Sequence, residues 1–496
     1  MNTSSLGLFI IVLILAFNSC KSREEQEEAV ARSYCSSCHI FPEPLLLDKE
    51  TWKKSVLPQM AFHMGFSDYE IMSKIPEQDL TVVLKSLPAR PMVTDQQWNM
   101  ITNYYLTHSP DSLPSVHQII SDSIKLFSIK PLSLFPNQLI TLIKIDTANQ
   151  LVYVGNRLSQ LIKLNSDLVP TDTVSLTSPP SCIKIFDRTS IISTMGIMDP
   201  NDQSKGQIVS IRDHILKELL DSLKRPVHFD EADFNNDGTI DFVVCSFGNF
   251  TGDLSIYGAT TDGYEKHIIS QAPGARKTVV KDFNNDNRPD ILALMTQGNE
   301  QLVLYINEGN FHFGEKVLLR FPPVYGTTYF EIADFNGDGF FDVLIANGDN
   351  ADYSSILKPY HGIRIFENDG KNNFHEAYFF PMPGASMAMA RDFDQDGDLD
   401  VVAISFFPDF ENAPEGSIVY LQNENRNYQF SPQTTKLAKR ARWLVMDAGD
   451  YDFDGDCDVI IGAMNFKGLG ASQEDYESWL TQKTSLLVLR NKLFEK

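Results

Sequence analysis

The sequence is poor in basic residues. It contains 42 lysines and arginines against 65 aspartates and glutamates among 496 residues, which gives a formal net charge of −23. Nucleic-acid binding needs basic patches that offset the phosphate charge, so this imbalance argues against nucleic acid as a partner. It also argues against electrostatic docking on anionic lipid. A hydrophobic content of 43% is nevertheless sufficient for sizeable cores, which excludes an acidic disordered chain.

Cysteines and the common catalytic motifs are also scarce. Only six cysteines are present, and Cys182, Cys245 and Cys457 are far apart and odd in number, which excludes a disulfide framework. The sequence contains no nucleophile elbow, P-loop, GxGxxG or HExxH motif. We therefore predict no dedicated catalytic residue.

The N-terminus carries an apolar run of 12 residues, 6–17. This run is shorter than the roughly 20 residues that span a bilayer, but it is typical of the hydrophobic part of a signal peptide. It is followed by Cys20 and a polar stretch, and this arrangement resembles the lipidated cysteine of bacterial lipoproteins. The resemblance implies a signal peptide over residues 1–19, lipid attachment at Cys20, and an exported protein anchored to the outer membrane on its periplasmic or cell-surface side. The alternative is a secretory signal with an incidental cysteine.

A second cysteine motif follows at Cys35-Ser36-Ser37-Cys38-His39. Its C-x-x-C-H pattern is the attachment sequence for c-type haem, in which two thiols bond to the vinyl groups and the adjacent imidazole binds iron. A redox C-x-x-C motif usually lies in a βαβ context, and a zinc site would need a second such motif, which is absent. The motif therefore predicts haem attachment.

Residues 20–115 resemble a small all-α class I cytochrome c. The resemblance rests on the haem motif and on two predicted helices, 24–34 and 94–108, the second of which carries an aromatic stripe at helical spacing. It implies covalent haem c held by Cys35, Cys38 and His39.

The second axial ligand to iron is predicted from the stretch 57–65. The cytochrome resemblance favours a methionine that follows a proline-containing turn, which selects Met60. Met64 lies one helical turn further on, His63 would supply a second imidazole, and an open site is the remaining alternative. A thioether ligand raises the reduction potential, whereas a second imidazole lowers it.

One acidic nine-residue motif occurs five times, with 49, 52, 58 and 58 residues between successive starts. Such a period is typical of propellers and solenoids. Each copy has oxygen-bearing side chains at positions 1, 3, 5 and 9, and a Gly or Asn at position 6. The predicted ligands are Asp233, Asn235, Asp237 and Asp241; Asp282, Asn284, Asp286 and Asp290; Asp334, Asn336, Asp338 and Asp342; Asp392, Asp394, Asp396 and Asp400; and Asp450, Asp452, Asp454 and Asp458.

Alternating carboxylates and amides in a tight turn direct their oxygens at one centre, which predicts a calcium loop. Position 6 needs positive φ, and the second copy has Asn287 there, the residue that tolerates this conformation best after Gly. Position 9 leads into β-branched strands, so each loop joins the two strands of a hairpin. The five loops contain 19 aspartates, so most of the acidic excess is predicted to be metal ligand.

The repeats resemble FG-GAP/VCBS repeats, the blades of the integrin-α N-terminal β-propeller. The resemblance covers about residues 225–496 and implies calcium binding. Residues 130–225 contain strand-like runs without acidic loops, so we expect a mainly β, seven-bladed propeller over 116–496 whose first two blades lack calcium. The last unit lacks an outer strand, and 124–130 is predicted to supply it and close the ring.

Three functions are compatible with this sequence. The preferred one is a lipid-anchored mono-haem electron-transfer protein whose calcium-stabilised propeller docks a redox partner protein or surface ligand; it is more an electron carrier than an enzyme by itself. The first alternative is a binding or adhesion propeller for a glycan or protein, with a redox-sensing or vestigial haem segment. The second is a haem-linked oxidoreductase acting on a small substrate at the propeller. The irregular segments 347–361 and 405–410 are the predicted ligand-facing loops.

Overall fold

The computed structural model describes residues 22–115, 120–121, 123–136, 138–187, 189–350, 354–424 and 427–494. The predicted signal peptide, 1–19, and the predicted lipidation site, Cys20, lie outside these residues. Within the described part of the chain, no helix is long and apolar enough to cross a membrane.

Residues 22–115, here called the helical segment, hold six of the seven α-helices of the described residues. Helix α1 begins with a capping box in which Ser22 and Glu25 each bind the backbone N–H of the other, and α6 begins with the same arrangement of Thr94 and Gln97. Helices α1 and α6 pack against each other. The helices are α1 (Arg23–Cys35), α2 (Lys49–Thr51), α3 (Leu57–His63), α4 (Tyr69–Lys74), α5 (Glu77–Ser86) and α6 (Asp95–His108), with a single π-helical stretch, Trp52–Val56, between α2 and α3.

The remainder forms a seven-bladed β-propeller in which each blade is an antiparallel sheet of four strands. Strands β2–β5 form blade 1, and each following set of four forms the next blade. Their bounds are β1 (Phe127–Leu132), β2 (Ile140–Asp146), β3 (Leu151–Asn156), β4 (Gln160–Leu164), β5 (Pro170–Ser175), β6 (Pro180–Phe186), β7 (Thr189–Thr194), β8 (Ser204–Arg212), β9 (Ile215–Lys224), β10 (Pro226–Ala232), β11 (Asp241–Ser246), β12 (Asp253–Thr260), β13 (Gly263–Ser270), β14 (Ala275–Lys281), β15 (Asp290–Met295), β16 (Gln301–Gly309), β17 (His312–Arg320), β18 (Thr327–Ala333), β19 (Asp342–Asn347), β20 (Gly362–Asn368), β21 (Phe374–Pro381), β22 (Ala385–Arg391), β23 (Asp400–Ser405), β24 (Ile418–Asn423), β25 (Phe430–Gln433), β26 (Trp443–Gly449), β27 (Asp458–Ala463) and β28 (Leu486–Asn491).

Blade 7 is completed by the strand that precedes blade 1 in sequence. Strand β1 pairs antiparallel with β28, so that Phe127 lies opposite Asn491 and Leu132 opposite Leu486. The ring of Phe127 packs edge-on against Phe393 and Tyr420, which belong to blade 6 and the loop beside it. The prediction that the residues before blade 1 close the ring is confirmed, and closure covers the exposed strand edge.

The second strand of each of blades 3–7 is completely buried. Both faces of such a strand are covered because neighbouring blades pack face to face. Leu344 and Ile365 of blade 5, for example, share one apolar cluster with Val401 and Leu421 of blade 6. This explains why these strands are continuous apolar runs instead of alternating patterns.

The connections between strands emerge on two opposite faces, because consecutive antiparallel strands reverse direction. The acidic loops join the first and second strands of blades 3–7 and lie on one face, here called the acidic face. The connections from second to third strand lie on the other, here called the insertion face, which carries the longest insertions (348–361, 406–417 and 464–485), the last of which includes α7 (Gln473–Gln482).

The helical segment packs on the insertion face. Phe62 meets Phe250 of blade 3 edge-on, with ring centroids 6.2 Å apart. The phenol of Tyr360 in blade 5 donates a hydrogen bond of 2.8 Å to the carbonyl oxygen of Leu46. The predicted haem motif and the predicted calcium loops therefore lie on opposite sides of the propeller.

Candidate functional site

The C-x-x-C-H motif lies where helix α1 ends. Cys35, the last residue of α1, is 4% exposed and faces the apolar cluster of the helical segment, whereas Cys38 is exposed. Both thiols are free. Burial raises the pKa of the Cys35 thiol to about 11, so this sulfur stays protonated and packs as an apolar group.

The imidazole of His39 is held by its own backbone neighbour. Its Nδ1 lies 2.8 Å from the carbonyl oxygen of Ile40. Because a carbonyl oxygen only accepts, Nδ1 carries the proton and Nε2 keeps its lone pair. Burial lowers the pKa of His39, which favours the neutral ring. A neutral imidazole with Nδ1 anchored on a carbonyl is the form that binds a metal through Nε2, so the residues present fit a haem iron.

The three candidates for the second axial ligand are not equivalent in the structure. Met64 is buried in the apolar cluster that contains Cys35, and Met60 packs against the same cluster. His63 lies elsewhere, with its ring 5.6 Å from that of Phe250 in the propeller. Met60 in helix α3 and Met64 at its C-cap therefore share an apolar cluster with Cys35, whereas His63 contacts the propeller.

Propeller residues also belong to this apolar cluster, which the sequence did not predict. Val324 is buried within it, and Tyr325, Ile356 and Tyr360 pack against it. Part of the insertion predicted as a ligand-facing loop therefore contacts the chain's own helical segment. Residues 351–353 of that insertion lie outside the described residues.

The acidic loops adopt one conformation in all five copies. Position 6 has positive φ throughout, with values from +64° at Asn287 to +99° at Gly455, as predicted from its Gly and Asn residues. Position 4 also has positive φ in every copy, which the sequence pattern did not predict. Its residues share no obvious chemistry: they are Asn236, Asn285, Gly337, Gln395 and Phe453.

Copies four and five bring their carboxylates together. Oxygens of Asp392, Asp394 and Asp396 lie within 4.8 Å of one another, and the same holds for Asp450, Asp452 and Asp454. One Oδ1 in each cluster, that of Asp392 and that of Asp452, is buried without a hydrogen-bond partner among the described residues. A buried carboxylate oxygen without a donor is costly unless a cation compensates it, so the residues of copy four fit a calcium ion. In copy five, the guanidinium of Arg490 pairs with Asp452 at 2.6 Å and with Asp454 at 3.2 Å, so a calcium ion there would share its carboxylates with this side chain.

Copies one to three have an asparagine at position 3, and the carboxylate oxygens of these loops accept hydrogen bonds from it and from the backbone. In the first copy, Asn235 Nδ2 donates to Asp237 Oδ2 at 2.8 Å. The carboxylate of Asp233 accepts the backbone N–H groups of Asp237 and Gly238. The second and third copies repeat this pattern. These loops have fewer carboxylates, and the amide at position 3 donates to the carboxylate at position 5. The backbone N–H of position 6 donates to the carboxylate at position 1 in copies four and five as well.

The aspartate at position 9 is fully buried in every copy and anchors the hairpin. Asp290 accepts the N–H of Phe283 at 2.9 Å and that of Asn307 at 2.8 Å. Asn307 lies near the end of the third strand of its blade, and equivalent asparagines serve copies three to five. Burial raises the pKa of Asp400 to about 7 and of Asp458 to about 8, which a bound cation would counteract.

Comparison with protein families agrees with this geometry. A family model described as FG-GAP-like repeat matches residues 233–293, 282–345 and 392–461. The chain carries FG-GAP-like repeats. The matched ranges include all five acidic loops. No curated protein sequence matches the chain.

Several solved structures are similar at low identity. They include BBS1N in complex with ARL6DN, soaked with mercury (9% identity, TM-score 0.45, 75% of this chain and 97% of that chain). Two others are the WD40 domain of Neurospora crassa Pan2 (12%, TM-score 0.42, 74% and 97%) and the β-propeller domain of Myceliophteria thermophila Cps50 (Swd1) (10%, TM-score 0.42, 66% and 95%). The seven blades described above, and not these similarities, establish the propeller.

Proposed function

We propose that this protein is an exported, lipid-anchored electron carrier with one covalent c-type haem, whose calcium-stabilised propeller docks a redox partner protein or surface ligand. The observation that carries the proposal is the donor set at the end of α1: two free thiols, an imidazole with its Nε2 lone pair available, and two methionines directed at the same cluster. Bound haem would supply a one-electron iron couple.

Each residue of this set has a distinct task. Cys35 and Cys38 hold the cofactor through thioether bonds, and His39 binds the iron. Met60 is the preferred second ligand, with Met64 as the alternative one helical turn away. A thioether from either methionine would complete the ligands that this chain offers to iron, and a haem held in this way would supply electron transfer in preference to catalysis.

The calcium sites on the acidic face are proposed to stabilise the propeller. The side chains at positions 1, 3, 5 and 9 of each loop would hold one ion, as in the first half of an EF-hand loop. The observation that supports them is a pair of buried carboxylate oxygens, one on Asp392 and one on Asp452, that have no hydrogen-bond partner within the part of the chain that the structure describes. The protein should therefore melt at a lower temperature in the presence of a calcium chelator than in the presence of calcium. Equal melting temperatures in the two conditions would contradict calcium binding by these loops.

Haem attachment is tested on protein produced together with a c-type haem maturation system. We expect a pyridine haemochrome band that survives denaturation, because thioether bonds are covalent. Cys38→Ala should lose most of the covalent haem. The matched control is Cys182→Ala, which changes a buried thiol in blade 2 and should leave the haem content unchanged. Wild-type protein without haem under these conditions would contradict the electron-carrier function.

A binding or adhesion propeller is the second candidate. It is favoured by the insertions 406–417 and 464–485 of blades 6 and 7, which lie on the insertion face. Binding to a glycan array that is independent of haem redox state would support this function. Reduction of the haem by a candidate sugar or alcohol would instead support the haem-linked oxidoreductase.

A further inference from the structure

We infer that the propeller supplies one wall of the haem pocket, so that the reduction potential of the haem depends on two propeller loops. The loops are 321–326, between blades 4 and 5, and 354–361, in the insertion of blade 5. This inference rests on the electron-carrier function proposed above and adds to it that the propeller controls the cofactor directly.

The two loops are continuous with the core of the helical segment. Val324 is 4% exposed and lies in the apolar cluster that contains Cys35 and Met64. Ile356 and Tyr360 from the blade 5 insertion pack against the same cluster, as does Met60. A cofactor attached at Cys35 and ligated from helix α3 would therefore be bordered by propeller side chains.

This wall is rigid because its two tyrosines are fixed to each other and to both parts of the molecule. The rings of Tyr325 and Tyr360 stack with centroids 4.8 Å apart and an angle of 15° between their planes. The phenol of Tyr360 donates to the carbonyl oxygen of Leu46 in the helical segment at 2.8 Å. On the propeller side, Arg364 Nη2 donates to the carbonyl oxygen of Tyr360 at 2.8 Å.

Loop 321–326 is also held by hydrogen bonds to a propeller side chain. The buried carboxylate of Glu300 accepts the N–H groups of Gly326 and Thr327 at 3.0 and 2.8 Å. The guanidinium of Arg364 lies 5.0 Å from the ring centroid of Tyr325. Both loops are therefore held in place by the propeller, whether or not a cofactor is present.

A preorganised wall of apolar and aromatic groups excludes water from the haem. The oxidised form carries one more positive charge than the reduced form, and water stabilises it preferentially. The hydrophobic shell around a metal site therefore raises the potential, and opening the shell lowers it. Burial also raises the pKa of the Tyr360 phenol, so this group stays neutral in the wall.

The test compares Tyr360→Ala with Tyr378→Ala in the full chain. Tyr378 is also a half-buried tyrosine of blade 5, but its ring packs at a tilt of 49° against that of Phe430 in blade 6. We expect Tyr360→Ala to keep covalent haem, to shift the midpoint potential to more negative values, and to bind imidazole faster in the oxidised state. Tyr378→Ala should match the wild type in both measurements.

Two further variants keep the test decisive. Tyr360→Phe removes the hydrogen bond to Leu46 but keeps the stacked ring, so it should shift the potential less than Tyr360→Ala. Ile356→Ala opens the same wall and replaces Tyr360→Ala if that variant does not fold. Haem-loaded Tyr360→Ala or Ile356→Ala with wild-type potential and imidazole binding would overturn this inference alone. Absence of haem from the wild type would overturn the electron-carrier function as well.

Discussion

The backbone N–H of Asp202 in blade 2 donates a hydrogen bond of 3.2 Å to the Asp79 carboxylate in helix α5. Asp79 is 3% exposed and lies in the first turn of its helix, where a negative charge is favourable. The carboxylate of Asp202 in turn accepts the N–H groups of residues 249–251 in blade 3. One pair of aspartates thus links the helical segment to two blades.

Replacing Asp79 by alanine should weaken this link. The Asp202 N–H would stay buried without an acceptor, which costs about 1–3 kcal/mol of stability. The measurement is chemical unfolding of the full chain, with Glu77→Ala as control. Glu77 is an exposed acid in the first turn of the same helix, so its loss tests the helix-end charge alone. Equal effects of the two substitutions would show that the contact with Asp202 contributes nothing to the free energy of unfolding.

Ring closure makes Phe127 important for stability. The side chain is 3% exposed and packs against Phe393 and Tyr420 where β1 completes blade 7. Phe127→Ala should lower the free energy of unfolding by about 3–5 kcal/mol, the usual cost of removing a buried phenyl ring. Phe186→Ala, at a strand end where the ring is 41% exposed, is the control and should change stability by less than about 1 kcal/mol. A small effect at Phe127 would mean that the ring does not depend on this strand.

The difference between the acidic loops predicts a gain of calcium affinity. The first copy has Asn235 at position 3, where copies four and five have aspartates. Calcium affinity rises with the number of ligand charges, so Asn235→Asp should strengthen binding at that loop on the order of tenfold. Isothermal titration calorimetry measures the change, and Asn249→Asp, in a blade 3 loop on the insertion face, is the control. Unchanged affinity would show that position 3 does not contact the ion.

Backbone strain at position 4 of the fifth loop predicts a stabilising substitution. Phe453 has φ +66° and its ring is 45% exposed, so it gains little from packing. A bulky residue in this conformation costs of order 1–3 kcal/mol, and asparagine tolerates it better. Phe453→Asn should raise the free energy of unfolding by about 1 kcal/mol in saturating calcium. The control is Phe340→Asn, at a similarly exposed phenylalanine of the third loop that does not have positive φ, and it should not raise the free energy of unfolding. A gain in stability at both positions would exclude backbone strain as the cause.

Blade architecture was predictable because its signals are local. Each acidic turn is followed at once by its β-branched strand, and the spacing between turns gives the length of a blade. The missing outer strand after β28 indicated ring closure, although the strand spans Phe127–Leu132 and not 124–130. The C-x-x-C-H motif is equally local, and its haem attachment stays a prediction.

Contacts between distant segments could not be predicted in this way. Tyr360 and Leu46 are 314 residues apart, and neither belongs to a motif. The separation of His63 from Met60 and Met64 depends on how helix α3 is turned against Phe250, which follows from packing and not from the sequence around the helix. Positive φ at position 4 was missed because the loop geometry imposes it on residues as different as Asn236 and Phe453.

Loop 405–410, one of the two predicted ligand-facing loops, also helps to enclose Arg442. Its guanidinium carbon lies 5.2, 5.9 and 5.0 Å from the ring centroids of Phe406, Phe407 and Phe410. The rings of Phe466 and Trp479, from the insertion of blade 7, lie at 4.6 and 5.8 Å. Burial lowers the pKa of Arg442 to about 10, so the group remains charged at neutral pH and its charge faces aromatic rings.

Arg442→Lys should therefore destabilise the insertion face of blades 6 and 7. Lysine keeps the charge but lacks the planar group that stacks on rings, and it would lose the hydrogen bonds from Nη2 to the carbonyl oxygens of Gly468 and Leu469 at 2.7 and 3.0 Å. We expect the free energy of unfolding, measured by chemical denaturation, to fall by about 2–4 kcal/mol. Tryptophan fluorescence should also change, because Trp479 is one of the rings around Arg442. Arg440→Lys, at a half-buried arginine with one hydrogen bond to Thr484, should cost less than about 1 kcal/mol. If both variants unfold alike, the rings around Arg442 contribute no stabilisation beyond that of an ordinary surface arginine.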